Sequence, residues 1–175
     1  MNKYDKYVKR VMKSGATQVK VIDADTIVTA YWVRLKCQFG CGGYGKRLTC
    51  PPYSPTPEYT REVLKEYSKA LLIIYRVEPD ALDNMEGVIK HAIIDTEREM
   101  FLDGYYKAYG LASGPCELCK KCDLTKPCKY PYQTRPSMEA SGIDVYRTVR
   151  NAGFKIEVVK TYDTQCTLCG LVLIE

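Results

Sequence analysis

Nine cysteines and a single histidine, His91, are the residues of this sequence best suited to chemistry. Four of the cysteines lie in the stretch GPCELCKKCDLTKPCKYP with the spacing C-x2-C-x2-C-x5-C: Cys116, Cys119, Cys122 and Cys128. We call residues 114–135 the second cysteine loop. A zinc ion usually takes four thiolates from two separated C-x2-C pairs, because each sulfur must lie about 2.3 Å from one atom. Three successive cysteines at steps of three do not match that arrangement.

The spacing of the second cysteine loop favours an iron–sulfur cluster. A cluster is larger than one ion, so a short loop can wrap around it, as in the bacterial ferredoxin run C-x2-C-x2-C-x3-C-P. This loop has five residues before Cys128, and two further residues separate Cys128 from the proline. We predict a cluster of the 4Fe-4S type, with zinc and free or disulfide-bonded thiols as alternatives. The lysines of the loop either steer an acidic partner or are only solvated: Lys120, Lys121, Lys126 and Lys129.

The first cysteine loop, residues 37–55, reads CQFGCGGYGKRLTCPPYSP and has the spacing C-x3-C-x8-C. Its centre nearly spells a phosphate-binding loop, but Arg47 stands where that motif needs Ser or Thr to hold magnesium. The two prolines after Cys50 exclude the helix that the motif also requires. The sequence therefore predicts a metal site of three thiolates: Cys37, Cys41 and Cys50.

The remaining cysteines, Cys166 and Cys169, form a C-x2-C pair near the C-terminus. Either of them could complete the first site, giving two clusters in the chain. Alternatively, the first site keeps three cysteines and leaves one iron open to a substrate. A third interpretation makes the pair simply small residues at the start of a buried strand.

Composition predicts one globular domain, residues 1–175, because 46% of the residues are hydrophobic and 27% are charged. No run of about 18 apolar residues occurs, and the N-terminus lacks the apolar middle of a signal peptide. We therefore expect a cytoplasmic protein without a membrane segment, where thiols serve metals or catalysis rather than disulfides. The net charge of +5 is spread along the chain and no nucleic-acid module is recognisable, so nucleic acid is disfavoured as a partner.

Hydrophobic periodicity predicts the elements that must position the cysteines. Helices are expected over residues 2–13, 56–67, 82–110 and 142–151. Strands are expected over residues 17–22, 69–77, 154–160 and 171–174. Thr56 and Ser141 are predicted to cap the second and fourth helices, and His91 is predicted on a helix surface rather than as a ligand. The whole reads as an α+β domain whose small, mixed or partly antiparallel sheet packs against helices, with residues 69–77 at its centre.

Several stretches resemble one family: RLKCQFGCGGYGKRLTCPPYSPTPE, GPCELCKKCD, CKYPYQTRPSMEASGIDVYRTVRNAGF and GLVLIE. The family is that of the small cysteine-rich predicted metal-binding proteins, a domain of unknown function common in anaerobic microbes. The resemblance implies metal, of the iron–sulfur type, at the seven cysteines of the two loops. Cys166 and Cys169 are not part of the family pattern.

The stretch RPSMEASGID is more particular than a helix start requires. Its polar residues either line a pocket beside the second cluster or cap a helix and form an internal ion pair: Arg135, Ser137, Glu139 and Asp144. The candidate cofactor-binding residues are Arg47, Arg135, Ser137 and Glu139.

Three functions fit these observations. The first is an iron–sulfur protein that exchanges electrons with a partner protein. The second is an enzyme in which an open iron of the three-cysteine site acts on a small anionic substrate, handled by Arg47, Tyr44 or Glu139. The third is a zinc-stabilised binding module. The sequence leaves the oligomeric state undetermined.

Overall fold

The computed structural model describes residues 3–175, without the side chain of Asp83. These residues form five helices and four strands in the order α1 (Asp5–Lys13), β1 (Gln18–Asp23), α2 (Tyr31–Gly40), α3 (Pro57–Leu64), β2 (Lys69–Val77), α4 (Leu82–Leu102), β3 (Tyr109–Leu111), α5 (Val145–Asn151) and β4 (Cys166–Leu173). The strands form one sheet in the order β1-β2-β4-β3, and each neighbouring pair is antiparallel. The predicted α+β class is confirmed.

The sheet lies between two layers of helices. Strand β2 is apolar along almost its whole length because both of its faces are covered. Its even-numbered residues, such as Leu72 and Ile74, join one core that includes residues of α3 and α5. Its odd-numbered residues, such as Leu71 and Ile73, join a second core with residues of α1 and α4. The prediction that residues 69–77 form the centre of the sheet is confirmed.

Helix α4 approaches the sheet closely because glycines face it. A Cβ placed on Gly170 of β4 would lie 2.3 Å from Ile93 Cδ1. A Cβ placed on Gly110 of β3 would lie 2.7 Å from Ile93 Cγ2. Ile93 is fully buried, so these two glycines leave the space that it occupies. This contact sets the distance between α4 and the strands β3 and β4, which precede and follow the second cysteine loop in the sequence.

The predicted extension of the long helix to residue 110 is wrong. Helix α4 ends at Leu102, and Gly104 follows with a φ of 99°, a left-handed conformation that glycine adopts without strain. Tyr105 and Ala108 still pack against the core, but from the loop after the helix. Their spacing in the sequence resembles that of a helix because both side chains pack against the core, although this segment is not helical.

Other elements also differ from expectation: α3 ends at Leu64 rather than at residue 67, and α5 begins at Val145 rather than at residue 142. Residues 154–160 form no strand, since Ile156 is buried without a pairing partner among the described residues and Val158 is 67% exposed. Helix α5 is capped by Asp144, whose carboxylate accepts from the Arg147 N–H at 3.0 Å, and not by Ser141. Strand β4 begins five residues earlier than predicted, at Cys166. The Thr56 cap of α3 is confirmed, and the predicted start of the first helix at residue 2 lies outside the described residues.

Candidate metal centre

The first cysteine loop begins inside a helix. Cys37 lies in the last turns of α2 and Cys41 caps the C-terminal end of that helix. On the same helix, Arg34 Nη2 donates a hydrogen bond to the carbonyl of Pro55 at 2.5 Å. Ser54 Oγ in turn donates to the carbonyl of Ala140 at 2.6 Å, within the buried interior. The entry and exit of the loop are therefore both anchored to the body of the protein.

Two glycines shape the loop around its thiols. A Cβ on Gly43 would lie 3.4 Å from Cys50 Sγ and 3.6 Å from Cys41 Sγ, so the position leaves room between the two sulfurs. It would also lie 3.6 Å from Cβ of Pro115, which places the two cysteine loops against each other. Gly45 has a φ of 68°, and its N–H donates to the carbonyl of Pro51 at 2.8 Å. This turn brings Cys50 back toward Cys41.

The first-loop thiols differ in exposure. Cys50 is buried, Cys37 is half-buried and Cys41 is exposed. Burial raises the pKa of Cys50 and Cys37, and the nearby Cys41 raises the pKa of Cys37 further. These two thiols are therefore protonated at neutral pH without metal, and metal binding must release their protons.

The second cysteine loop gathers its four thiols around one recess. The cysteines that line it are Cys116, Cys119, Cys122 and Cys128. The first cysteine loop supplies part of the wall through Arg47 and Thr49, and Arg47 Nη1 donates to the carbonyl of Cys119 at 3.0 Å. The Tyr130 N–H donates to Cys128 Sγ at 3.4 Å.

The donor set fits a soft metal, because every candidate ligand in the two loops is a thiol. In the part of the chain that the structure describes, however, no three His, Cys, Asp or Glu side chains converge closely enough to hold one metal ion. The recess between the four thiols has a volume of about 20 Å³, room for about one water molecule. A cluster of several irons therefore requires the second cysteine loop to widen.

Helix α4 anchors both ends of the second cysteine loop. At the entry, Lys90 Nζ donates to the carbonyl of Pro115 at 2.6 Å and also pairs with Glu86 at 3.3 Å. At the exit, Arg135 Nε donates to Glu97 Oε2 at 2.7 Å, and a second bond joins Nη2 to Oε1. The middle of the loop is mostly exposed.

The candidate cofactor-binding residues separate in the structure. Arg47 lies at the recess of the second loop, whereas Arg135 is held by Glu97 and stacks over the ring of Tyr109 at 5.4 Å. Ser137 is buried, and its hydroxyl accepts from the Ala140 N–H at 3.0 Å. Arg135 thus forms an ion pair with a residue of α4, and Ser137 accepts a hydrogen bond within a turn.

Glu139 lies beside the first cysteine loop and not beside the second. The thiol of Cys37 points to the Glu139 carbonyl at 3.9 Å. The Glu139 side chain is accessible to water, while the protein around it desolvates the carboxyl and raises its pKa. Glu139 also contributes to the raised pKa of Cys37 and of Cys169, so its carboxyl lies within electrostatic range of both thiols.

The C-terminal cysteine pair does not form a metal knuckle. Cys166 and Cys169 are three residues apart on β4, and residues an odd number apart on a strand point to opposite faces. Cys169 belongs to the core that includes residues of α3 and α5, whereas Cys166 packs against the core that includes residues of α1 and α4. Burial raises the pKa of Cys169 to about 12. The two therefore match the interpretation of small residues in a buried strand.

The sequence pattern did not single out the supporting residues on α4. Glu86, Lys90 and Glu97 lie four and seven residues apart, a spacing that places them along one side of a helix. All three side chains are largely buried, with exposed fractions of 21%, 16% and 12%. The sequence does contain a signal for them, since charged residues recur at helical spacing beside the apolar stripe of this helix.

The fold and the site together define a class: an α+β protein whose two adjoining cysteine loops line a thiol-rich surface. The chain belongs to the family described as predicted metal-binding protein (DUF2284), whose model matches residues 20–174. Comparison with curated proteins and with solved structures gave no match. Among the described residues, no helix is both long and apolar enough to cross a membrane.

Proposed function

We propose that this protein is a cytoplasmic iron–sulfur protein that exchanges electrons with a partner protein. One observation carries the proposal: four thiols with the spacing C-x2-C-x2-C-x5-C line a single recess. A mononuclear zinc site needs convergence at about 2.3 Å, whereas the thiolates of a cluster stand further apart around several irons. When bound, such a cluster accepts and releases one electron at a time.

The residues around the recess have distinct tasks in this proposal. The four cysteines hold the cluster, and Arg47 fixes one side of the loop through the carbonyl of Cys119. The Tyr130 N–H stabilises negative charge on Cys128 Sγ. Leu118 is 41% exposed, so the recess lies just beneath the surface, where a partner can approach.

The metal and sulfide content of protein purified without oxygen tests the proposal. We expect about four irons and about four acid-labile sulfides for each cluster, with a paramagnetic resonance signal after one-electron reduction. About one zinc per four cysteines, without sulfide, would instead establish the zinc-stabilised module.

A matched pair of cysteine variants tests the ligands. Cys119→Ser should remove the iron of the second loop, because a serine oxygen is a poor ligand for a soft site. Cys166→Ser is the control, since this residue lies on β4 and does not line the recess, and its replacement should leave the iron content unchanged. Equal iron loss in the two variants would contradict the assignment.

A second candidate function concerns the first cysteine loop. Because Cys166 and Cys169 face opposite sides of the sheet, at most one of them could complete the site of three thiols. We infer a site with an open coordination position, at which Arg47, Tyr44 or Glu139 would handle a small anionic substrate.

Cyanide is a suitable probe for that open position. In Cys169→Ser, we expect the first-loop cluster to persist and its absorption spectrum to shift when cyanide is added. Loss of that cluster in Cys169→Ser would give the site four protein thiolates and exclude the enzyme hypothesis.

A further inference from the structure

A basic cleft runs between the two cysteine loops. Its floor is made by residues of the glycine-rich turn and by Pro115, and its volume is about 410 Å³. Four cationic side chains line it: Lys46, Arg47, Lys120 and Lys121. Among the residues that the structure describes, no acidic one lines this cleft. The cleft therefore brings together charges from two segments that are about 70 residues apart in the sequence.

The cleft lysines are not neutralised by the chain itself. Among the described residues, no carboxylate lies within ion-pair distance of Lys46, Lys120 or Lys121. Asp123, the nearest acid along the loop, accepts hydrogen bonds from Thr125 and pairs with a different lysine. Glu117 instead lines a separate cavity that Lys90 and His91 of α4 also line. Like charges held around one cavity repel each other, and a bound anion would relieve that repulsion.

The shape of the cleft distinguishes between two possible ligands, an acidic protein and a small anionic molecule. A docking site for a protein usually buries about 800 Å² on each partner over a broad surface. A small-molecule site is a concave space of about 300–1,000 Å³ with a few convergent polar groups. The cleft belongs to the second kind, since it is concave and since Gly42, Gly43 and Gly45 place no side chains in it.

We propose that this cleft binds a small molecule carrying two or more oxyanion groups, phosphate or carboxylate. Lysine ammonium groups bind either kind of oxyanion, and three lysines with one arginine match a ligand of several negative charges. Arg47 lines both the cleft and the second-loop recess, and it donates to the carbonyl of Cys119. An anion that binds Arg47 in the cleft therefore contacts a residue of the recess wall. The proposal does not depend on which metal the cysteines hold.

Calorimetric titration with pyrophosphate and with tricarballylate tests the proposal and separates phosphate from carboxylate. The test variant is Lys46→Gln/Lys121→Gln, and Arg47 is left intact because it supports the loop. The matched control is Lys9→Gln/Lys13→Gln, which removes the same charge from exposed positions on α1. We expect at least one of the two anions to bind, with affinity lowered about tenfold or more in the test variant and nearly unchanged in the control.

Three results would overturn the proposal. The first is that neither anion gives a measurable heat of binding at low salt. The second is that the two double variants lose affinity equally. The third is that polyglutamate binds although the two small anions do not. The last result would make the surface a docking site for an acidic protein. Iron and sulfide are assayed on the same samples, so a failure of anion binding is distinguished from a failure of the iron–sulfur proposal.

Discussion

The ion pair between Glu97 and Arg135 gives the sharpest test of how the second cysteine loop is held. Both side chains are largely buried, with exposed fractions of 12% and 16%. Glu97 also accepts from the Gly110 N–H at 2.7 Å, and Arg135 Nη1 donates to the carbonyl of Thr134 at 2.7 Å. One carboxylate and one guanidinium therefore join α4, β3 and the exit of the loop.

Arg135→Met should strongly destabilise the protein, because it leaves the Glu97 carboxylate buried without its cation. Removing one member of a buried ion pair costs about 3–5 kcal/mol in the free energy of unfolding. For a chain of this size, the melting temperature should fall by roughly 6–20 °C. Glu97→Gln should cost a similar amount, and the double variant should cost less than the sum of the two.

The same helix offers a matched control. Glu99 pairs with Arg10 at 2.6 Å, but their side chains are 31% and 46% exposed. Glu99→Gln should therefore cost no more than about 1 kcal/mol. Urea and thermal unfolding measure all four variants, and iron content is assayed on the same samples.

The result that would refute this reasoning is specific. If Arg135→Met unfolds like Glu99→Gln but loses metal, then Arg135 acts on the cofactor, as one interpretation of the sequence predicted, and not through the fold. If its iron content instead falls only in proportion to the unfolded fraction, the ion pair serves the fold.

Three further predictions follow from backbone and charge. Gly142→Ala should lower the free energy of unfolding by about 2–4 kcal/mol, because its φ is 76° and a Cβ would lie 2.8 Å from a Cα of α3. Gly15→Ala is the control: its φ is 94° but the space around it is open, so it should cost only about 1 kcal/mol. Urea unfolding measures both variants. Gly43→Ala should lower metal content at the first loop, whereas Gly42→Ala, with nothing within 4 Å, should not; equal metal contents would contradict the geometry. Hydrogen bonds from a lysine and then a tyrosine of α1 lower the pKa of Asp103, so Asp103→Asn should be less stable than wild type at pH 7. That difference should disappear as the pH falls through the lowered pKa, and a difference that persists in acid unfolding experiments would refute the assignment.

The sequence predicted those elements whose hydrophobic pattern reports burial. Residues 69–77 were identified as a central strand because both faces are apolar, and the Thr56 cap was identified from local chemistry. Helix α2 escaped prediction because its apolar residues face outward: Leu35 and Phe39 are 56% and 78% exposed. A periodicity argument assumes that apolar side chains are buried, and in α2 only Val33 is.

Relations between distant segments also escaped prediction. The partner of Arg135 lies 38 residues earlier on α4, and nothing local distinguishes Glu97 from the other acids of that helix. The carbonyl of Glu139 lies beside the thiol of Cys37, which is more than 100 residues earlier in the sequence. In both cases the contact depends on how the helix layers pack on the sheet.

The sequence by itself determined the nine thiols, their spacing in the loops and the family to which the chain belongs. These are local properties, because spacing along a loop limits which atoms it can surround. Only the tertiary structure decided that Cys166 and Cys169 are divided between two cores and that the two cysteine loops adjoin. The physical reason is that strand register and helix packing set the distances between remote residues, and those distances created the basic cleft.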